Sequence, residues 1–355
     1  MPACRMAHSD TGRRVMKNDG RMALNICTYK REEDIRRNLS LLLGSKFFDE
    51  NEKEYFGRLE IFIVDNASEL VLPQANDNRF VHLIYNRNTG GSGGFQRGIE
   101  EIRKCDIEFT HVIFMDDDVS FELSCFYILF DFLSTVDEAN ADRPVAGRML
   151  DKDNPNIQWT AAEKWNGGNI EHVEFLRDIT DPSDPYTPGQ VIYDIDADYG
   201  GWWFCCYPYS FVKENDVIPF FLHCDDVEYG LRYGKTPIII EGVHVWHETW
   251  EKKMNAVTLY YDVRNPLFVN EIHGIRQSKE KMLSDWKNKI GQYHAKGDYT
   301  YEYLGIIGMA DYLKGLDWLK SLDGEKHHDY LKRTRGGRIK NAISWRIVAK
   351  KLKSL

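Results

Sequence analysis

The sequence predicts an α/β protein built around a doubly wound, mostly parallel sheet. Between residues 22 and 136, short apolar runs alternate with segments whose apolar residues have helical spacing. Such alternation is typical of a parallel sheet covered by helices. The run at 112–115 is uninterrupted by polar residues, as expected of a central strand buried on both faces. From residue 256 onwards the spacing becomes helical, which indicates a helical extension.

The elements can be assigned in chain order. The first part is predicted to contain strands at 22–28, 59–65, 81–85 and 111–115, and helices at 32–43, 95–104 and 121–136. Residues 151–198 are rich in Pro, Gly, Asn and Asp and are predicted to form hairpins and loops. The chain is then predicted to form a strand at 200–207, a short helix after 221–228 and a strand pair at 237–242 and 243–247.

Four regions follow from these patterns. We expect a flexible N-terminus at 1–20, a sheet domain at 21–255, a helical region at 256–330 and a basic amphipathic tail at 331–355. The tail carries nine Lys and Arg residues and no acid, so the rest of the chain has a net charge of about −18. This acidic body argues against nucleic acid as a partner.

The amino-acid composition indicates the class of protein and the cellular compartment. The 355 residues are 43% hydrophobic, which predicts a globular protein. The seven Cys are scattered without a CxxC pair, which predicts free thiols in a reducing cytoplasm. No apolar run approaches the ~18 residues of a membrane span. Nine Trp and nineteen Tyr suit carbohydrate contact, and equally suit ordinary packing.

Three consecutive acids, Asp116, Asp117 and Asp118, end the predicted central strand. Ligands of parallel sheets bind at the carboxyl ends of the strands. Alternate residues point the same way, so Asp116 and Asp118 could face one Mg²⁺ or Mn²⁺ that holds a phosphate. The alternative interpretation is a solvated acidic turn.

Two further strand ends suggest a ligand. A stretch at 86–95 contains Gly90, Gly91, Gly93 and Gly94, which indicates backbone lying close to a ligand or, alternatively, a tight turn into a helix. Asp65 could accept hydrogen bonds from a ribose or base, but could equally form an Asx turn.

Candidate groups for chemistry lie later in the chain. Asp225 and Asp226 could provide a general base, or one of them could cap the following helix. Strand alternation points His244 and His247 to opposite faces, so at most one faces the acids, and His247 is the better metal-ligand candidate because it is nearer the carboxyl end of the strand. The rings of Trp202, Trp203 and Tyr199 could stack on sugars or belong to the core.

Taken in order, these motifs resemble family 2 glycosyltransferases of the GT-A fold, which have a Rossmann-like nucleotide-binding half. Within that family the chain looks most like bacterial UDP-galactofuranosyltransferases, over about residues 22–274. The resemblance implies Mn²⁺ or Mg²⁺ as cofactor and a UDP-sugar as donor. It assigns the metal to Asp116, Asp118 and His247, and the catalytic base to Asp226 with Asp225 beside it. It assigns the donor nucleotide and sugar to Arg31, Asp65, Asn88, Gly90, Gly91, Gly93, Asp116, Asp117 and Trp203, and the acceptor to Trp202, Trp203 and Tyr199.

The implied activity is inverting transfer of galactofuranose to a hydroxyl of a cell-surface glycan or lipid-linked acceptor. Lys30 stands where these enzymes often have Asn, and only about twenty residues precede the first strand, so we expect addition of one or a few sugars. Alternatives are a rhamnosyltransferase using dTDP-rhamnose, a non-catalytic carbohydrate-binding protein and a metal-dependent hydrolase. The tail is expected to hold the protein on the inner face of the cell membrane, or else to dock on the acidic body. Ile339, Ile343, Ile347 and, one turn on, Leu352 are expected near one helical face of the tail, and Gly336-Gly337 favours a tail that can swing away. If the tail binds membrane, a truncation after Tyr330 is expected to stay folded. The sequence leaves the oligomeric state open.

Overall fold

The architecture comes from a computed structural model, which describes residues 20–354. The flexible N-terminus predicted at 1–20 therefore lies almost wholly outside the described residues. None of the described helices is long and apolar enough to cross a membrane.

The strands agree closely with those expected in the first half of the chain. They are β1 (Arg21–Thr28), β2 (Leu59–Asp65), β3 (Val81–Tyr85), β4 (Phe109–Asp116), β5 (Val145–Asp151), β6 (Ile157–Thr160), β7 (Ala162–Asn166), β8 (Asn169–Val173), β9 (Arg177–Asp178), β10 (Val191–Ile192), β11 (Cys205–Pro208) and β12 (Ile238–His247).

Helices connect the early strands and make up most of the chain after residue 255. They are α1 (Glu32–Leu43), α2 (Pro73–Asn76), α3 (Gly90–Ile102), α4 (Leu123–Thr135), α5 (Tyr209–Val212), α6 (Asp225–Tyr233), α7 (Trp250–Lys253), α8 (Ala256–Ile272), α9 (Lys279–Lys296), α10 (Tyr299–Tyr312), α11 (Leu316–Ser321), α12 (Gly324–Arg333) and α13 (Arg338–Ser354).

The central sheet is mixed and mostly parallel where the site is built. Its strand order is β10-β12-β5-β11-β4-β1-β2-β3, with β6 and β9 attached beside β5. Strands β4, β1, β2 and β3 are parallel, whereas β11 runs antiparallel between β4 and β5. The register sets Cys27 opposite Asp116 and Thr28 opposite Asp65, so the polar strand ends meet at one edge. The predicted α/β class with a helical C-terminal extension is confirmed.

Burial on both faces explains the apolar strands. All seven residues of β2 are buried. Ile61 and Ile63 pack in the cluster that contains α1 and α4, whereas Phe62 and Val64 pack with α3 on the other face. Because side chains alternate along a strand, β2 therefore packs against helices on both faces of the sheet.

A hairpin and the helical region lie against this sheet. Strands β7 and β8 form the antiparallel hairpin expected within 151–198. Its Trp165 donates Nε1–H to Asn270 Oδ1 of α8 over 2.9 Å, which ties the hairpin to the helices. Helices α9 and α13 share an apolar cluster that includes Trp286, Ile290 and Leu352.

Two strand predictions were wrong. The strand expected at 200–207 begins only at Cys205, because Gly201 approaches the Trp203 ring so closely that a Cβ would lie 2.2 Å from it, and the chain turns there. The strand pair expected at 237–247 is the single strand β12, because Gly242, with φ of 100°, absorbs a register shift instead of reversing the chain.

The prediction for the tail was also partly wrong. Leu352 was expected on the same helical face as Ile339, Ile343 and Ile347. It lies five residues after Ile347, about 140° further round the helix, and is buried while the three isoleucines are exposed. Gly336 does not act as a swinging hinge, since a Cβ there would lie 1.8 Å from the Tyr299 carbonyl oxygen.

Candidate active site

A cavity of about 660 Å³ opens at the carboxyl ends of β1 and β4. It is lined by the strand ends, including Thr28, Asn66 and the three consecutive acids. Its lining also includes Glu163 of the hairpin and Asp225 and Asp226 of α6. The fold therefore brings the two acidic motifs of the sequence, more than a hundred residues apart, into one space.

Asp116, Asp118 and His247 form a cluster that could hold a metal ion. One ligand atom from each lies within 4.8 Å of the others. His247 Nε2 is 3.0 Å from Asp118 Oδ1 and 3.6 Å from Asp116 Oδ2. Two carboxylate oxygens and one imidazole suit Mn²⁺ or Mg²⁺, and an octahedral ion would keep positions for phosphate oxygens and water. The three residues predicted from the sequence as metal ligands are brought together.

Two cations border this cluster. Arg31 Nη1 lies 2.7 Å from Asp117 Oδ1 and 2.6 Å from Asp118 Oδ2. Lys253 Nζ lies 3.0 Å from Asp118 Oδ2 and 3.0 Å from His247 Nε2. Burial alone would raise the pKa of Asp118, but His247, Lys253 and Arg31 outweigh it and hold that pKa well below its ordinary value. Burial raises the pKa of Asp117 to about 6, against the effect of Arg31.

A strained loop delivers Asp225 and Asp226 to the cavity. Phe221, His223 and Cys224 precede α6 with φ of 76°, 68° and 70°, a region that is uncommon for residues other than Gly. The loop is fixed from outside, because Asn265 Nδ2 donates to the carbonyls of Leu222 and His223 at 2.6 and 2.9 Å. Strain held in this way is common where a loop positions functional groups.

Asp226 and Asp225 have unusual proton affinities. Burial, then the charges of Asp225 and Glu163, raise the pKa of Asp226 well above its ordinary value. Burial and the charge of Asp116 raise the pKa of Asp225 to about 6. The residue at the N-cap of α6 is Cys224, so neither acid takes the capping position that the sequence left open. A carboxylate with a raised pKa suits general base chemistry.

The glycine-rich stretch has a structural role that the sequence analysis undervalued. At Gly90 a Cβ would lie 2.0 Å from the Phe221 carbonyl oxygen, and at Gly94 it would lie 2.1 Å from Cys27 Sγ. Gly90 and Gly91 line the cavity, and Gly91 is the one that approaches Asp225, with 3.6 Å from a Cβ position to Oδ2. Gly93 lies against Thr89 and is not among the residues that line this cavity, because α3 turns it towards a second, smaller cavity.

Two other candidate residues lie away from the cavity surface. Asp65 is buried and accepts hydrogen bonds from the backbone amides of residues 67, 69 and 70 at 2.7–2.8 Å, so it forms the turn offered as the alternative. Its neighbour Asn66 lines the cavity instead. Tyr199 is also buried, and its hydroxyl donates to Glu163 Oε2 over 2.6 Å. Neither side chain lines the cavity, so any contribution to nucleotide or acceptor binding would be indirect.

The remaining candidates do line the cavity. Trp202 stacks on Phe114 with ring centroids 4.4 Å apart, so one of its faces belongs to the core. Trp203 donates Nε1–H to the Gly147 carbonyl over 2.7 Å, which fixes its ring at the cavity edge. Asn88 Oδ1 accepts from the Gly90 amide over 3.1 Å and so shapes the turn into α3.

Glu163 and Lys253 also line the cavity, although neither was a candidate from the sequence. Glu163 lines the cavity from β7 and contacts His172 Nδ1 over 3.0 Å. A lone Glu in a hairpin gives no sequence signal, because its role depends on the loop that brings it near Asp226. No sequence pattern predicts that Lys253 lines the cavity, although it lies only six residues after the Trp-His pair.

A family model matches the first part of the sheet region. The model described as glycosyl transferase family 2 matches residues 24–190. The chain contains a family 2 glycosyltransferase domain. The matched part of this domain includes Arg31, Asn88 and the three consecutive acids, whereas Asp226 and His247 lie beyond it and are brought to the same cavity by the fold.

Curated relatives of the domain are galactofuranosyltransferases. The galactofuranosyltransferase GlfT2 of Mycolicibacterium smegmatis is 30% identical over 260 residues, covering 67% of this chain and 39% of the relative. GlfT2 of Mycobacterium tuberculosis is 30% identical over 208 residues, covering 52% of this chain and 31% of the relative. The chain thus spans less than half the length of either relative.

Matches among solved structures are more distant in sequence. The crystal structure of GalNAc-T7 with UDP, GalNAc and Mn²⁺ has a TM-score of 0.49 at 13% identity, covering 72% of this chain and 48% of that one. The mannosyltransferase PcManGT from Pyrobaculum calidifontis, in complex with GDP-Man and Mn²⁺, has a TM-score of 0.43 at 9% identity, covering 96% and 88%.

Proposed function

We propose that the protein is an inverting, metal-dependent galactofuranosyltransferase. It would move galactofuranose from UDP-galactofuranose to a hydroxyl of a glycan or lipid-linked saccharide. The proposal depends on one observation: a single cavity contains both the Asp-Asp-His cluster and two carboxyl groups with raised pKa values, those of Asp225 and Asp226. A family 2 domain and relatives named as galactofuranosyltransferases support the donor.

The strand-end side of the cavity would hold the donor diphosphate. Asp116, Asp118 and His247 would hold Mn²⁺ or Mg²⁺, which when bound neutralises charge on the departing diphosphate. Arg31 and Lys253 supply fixed positive charge within 3.0 Å of Asp118. Both cations would also contact phosphate oxygens, since the acids alone would repel a diphosphate.

Asp226 would act as the general base. The acceptor hydroxyl oxygen attacks the anomeric carbon and passes its proton to an Asp226 oxygen, while the bond from that carbon to the diphosphate oxygen breaks and UDP leaves with the electron pair. A base on the face opposite the leaving group inverts the anomeric centre in one displacement. Positioned proton transfer of this kind contributes about 10²–10⁴-fold to rate.

The hairpin side would receive the acceptor. Glu163 and His172 of the hairpin and the ring of Trp159 line this part of the cavity. Trp159 packs edge-on against His172 at 5.5 Å between ring centroids, which gives a wall of flat rings. Flat apolar faces with a few hydrogen-bonding groups are suited to sugar rings.

A donor screen tests the proposal. The full chain is incubated with Mn²⁺, a short galactofuranose-containing acceptor and, separately, UDP-galactofuranose, UDP-galactopyranose or dTDP-rhamnose. Mass detection should find acceptor extended by one hexose only with UDP-galactofuranose. Product with dTDP-rhamnose alone would instead establish a rhamnosyltransferase. Release of free sugar without acceptor would establish a hydrolase, and binding without turnover of any donor a carbohydrate-binding protein.

A further inference from the structure

Helix α13 is fixed to the protein by one face only. Val348, Ala349 and Leu352 are buried, and Trp345 stacks on Trp286 with ring centroids 6.1 Å apart. Asn341 Nδ2 donates to Glu302 Oε2 over 2.7 Å and to the Tyr299 carbonyl over 2.8 Å. The helix is therefore held by apolar packing and an amide rather than by attraction of its cations to the acidic body.

The opposite face of α13 carries an exposed apolar ridge. Ile339, Ile343 and Ile347 are 77, 54 and 64% exposed. Residues four apart on a helix lie above one another, so the three side chains form one continuous ridge about 12 Å long. Three large β-branched side chains in such a row suggest that something apolar covers them.

Basic side chains surround the ridge. Lys350 lies within the same angular range as the isoleucines, and Arg346 and Lys351 lie on either side of it. Within residues 20–354, Arg338, Arg346, Lys350, Lys351 and Lys353 are exposed and none of them forms an ion pair. Their charge is thus available to an external partner.

We propose that the outer face of α13 is a docking surface for an anionic lipid bilayer. A ridge of apolar side chains among cations is the pattern of a helix that lies in the membrane interface, with apolar groups in the acyl boundary and cations at the headgroups. An anionic surface repels the acidic body, so the protein would approach it with α13. The ridge alone is too short to bury the roughly 800 Å² per partner of a standard protein interface.

The helix does not need to leave the protein to bind lipid. Its inner face stays in the cluster with Trp286 and Ile290 while its outer face faces the bilayer. Because the surface lies outside the cavity, the inference does not depend on which sugar the enzyme transfers.

Vesicle co-sedimentation of the full chain tests the inference. The vesicles contain either phosphatidylcholine alone or phosphatidylcholine mixed with phosphatidylglycerol. We expect sedimentation only with the anionic vesicles, and release by high salt. Lys350→Gln with Lys351→Gln should weaken binding roughly thirtyfold, given the contribution of each cation near an anionic surface. Ile339→Gln, Ile343→Gln and Ile347→Gln together should weaken it at least roughly tenfold, through lost apolar burial.

Matched variants elsewhere on the surface provide the controls. Lys53→Gln with Lys213→Gln removes two exposed cations, and Leu41→Gln with Val71→Gln removes two exposed apolar side chains. These variants should bind vesicles like the unaltered chain, and every variant should retain its melting temperature. Equal losses in control and α13 variants, or no binding of the unaltered chain at low salt, would overturn the proposal. A change from dimer to monomer in the isoleucine variant, with vesicle binding intact, would show that the ridge instead joins two copies.

Discussion

Individual carboxylates in the cavity differ in proton affinity because their neighbours differ. Asp118 lies within 3.0 Å of Arg31, Lys253 and His247, which hold its pKa low and keep it ionised. Asp226 has burial and two further acids around it, which raise its pKa. Groups whose environments push pKa values apart can perform different tasks in one site. The first arrangement suits a metal ligand and the second a proton acceptor.

Removal of the metal ligands should abolish transfer. Asp118→Asn or His247→Ala should lose turnover and bind Mn²⁺ weakly, because the first replaces a charged carboxylate by a neutral amide and the second removes the imidazole nitrogen. Excess EDTA should have the same effect on the unaltered chain, with recovery on adding Mn²⁺. Transfer assays and Mn²⁺ binding by electron paramagnetic resonance check this. Glu50→Gln, at an exposed position, should behave normally, and full activity in EDTA would contradict the metal assignment.

Replacement of the proposed base should separate binding from turnover. Asp226→Asn keeps the shape of the side chain but cannot accept the proton, so kcat should fall by about 10²–10⁴-fold while donor affinity changes little. Asp225→Asn is the companion variant, since it lies beside Asp226 and leaves that group in place. A near-normal kcat in Asp226→Asn combined with a large loss in Asp225→Asn would move the base to Asp225.

Removal of a neighbouring charge should shift the pH profile. Glu163 raises the pKa of Asp226, and a base must be deprotonated to work, so activity falls as pH drops through that raised pKa. Glu163→Gln should therefore move the acid limb of the kcat profile to lower pH. The exposed Glu171→Gln on the same hairpin should leave the limb in place. An unmoved limb would show that Glu163 acts through structure alone, and a shift to higher pH would contradict its assigned effect on the Asp226 pKa.

At the scale of elements, glycines set the distance between α3 and the sheet. Helix α3 packs on β1 and β2, and its N-terminus reaches the cavity at Gly90 and Gly91. A Cβ at Gly98 would lie 1.9 Å from Asn25 Oδ1, within the buried contact of α3 and β1. Gly94 and Gly98 thus allow α3 to pack closely on β1, whereas Gly90 and Gly91 lie at the cavity.

Gly98→Ala should destabilise the protein. Overpacking of a buried contact costs about 1–3 kcal/mol, which exceeds the helix propensity gained from Ala. Asn25 also cannot move freely, because its Nδ2 donates to the Phe95 carbonyl over 2.9 Å. Thermal and urea unfolding measure the effect. Gly291→Ala in α9 is the control, since a Cβ there meets nothing within 4 Å, and it should be neutral or stabilising.

At the scale of the whole molecule, the helices complete the cavity that the sheet begins. Asp262 of α8, Lys289 of α9 and His328 of α12 all line it. Lys289 Nζ lies 2.6 Å from Asp262 Oδ2, so two of these helices are linked at the cavity wall. Helix α13 in turn covers the cluster around Trp286 of α9. The helical region is therefore part of the site as well as the carrier of α13.

Loss of the inner face of α13 should reduce stability. Leu352→Ala should lower the free energy of unfolding by about 2–5 kcal/mol, because it leaves a cavity among buried side chains. A truncation after Tyr330, expected from the sequence to stay folded, should now expose the Trp286 cluster and melt at lower temperature. Ile343→Ala on the exposed face should change stability by less than about 0.5 kcal/mol. Equal melting temperatures for all variants would mean that α13 is not docked in solution.

The bounds of several helices and strands, and the faces of their side chains, could be predicted from the sequence alone. The bounds of α1, β2 and β3 follow from apolar spacing and polar flanks, and the structure has them at 32–43, 59–65 and 81–85. Asp116, Asp118 and His247 could be chosen because alternation along a strand decides which side chains share a face. These inferences depend only on nearby residues and on the periods of strand and helix.

Which surface a side chain contacts depends on residues far along the chain and becomes apparent only in the folded protein. Asp65 and Asn66 are adjacent in sequence, yet the backbone turn takes up the first side chain and leaves the second to the cavity. Helical spacing alone separates Leu352 from the three isoleucines, but only the packing on α9 and α10 shows which of the two faces is buried. Glu163 gains its role because the hairpin meets α6. In each case the partner is far along the chain, and no local pattern records which surface a side chain will meet.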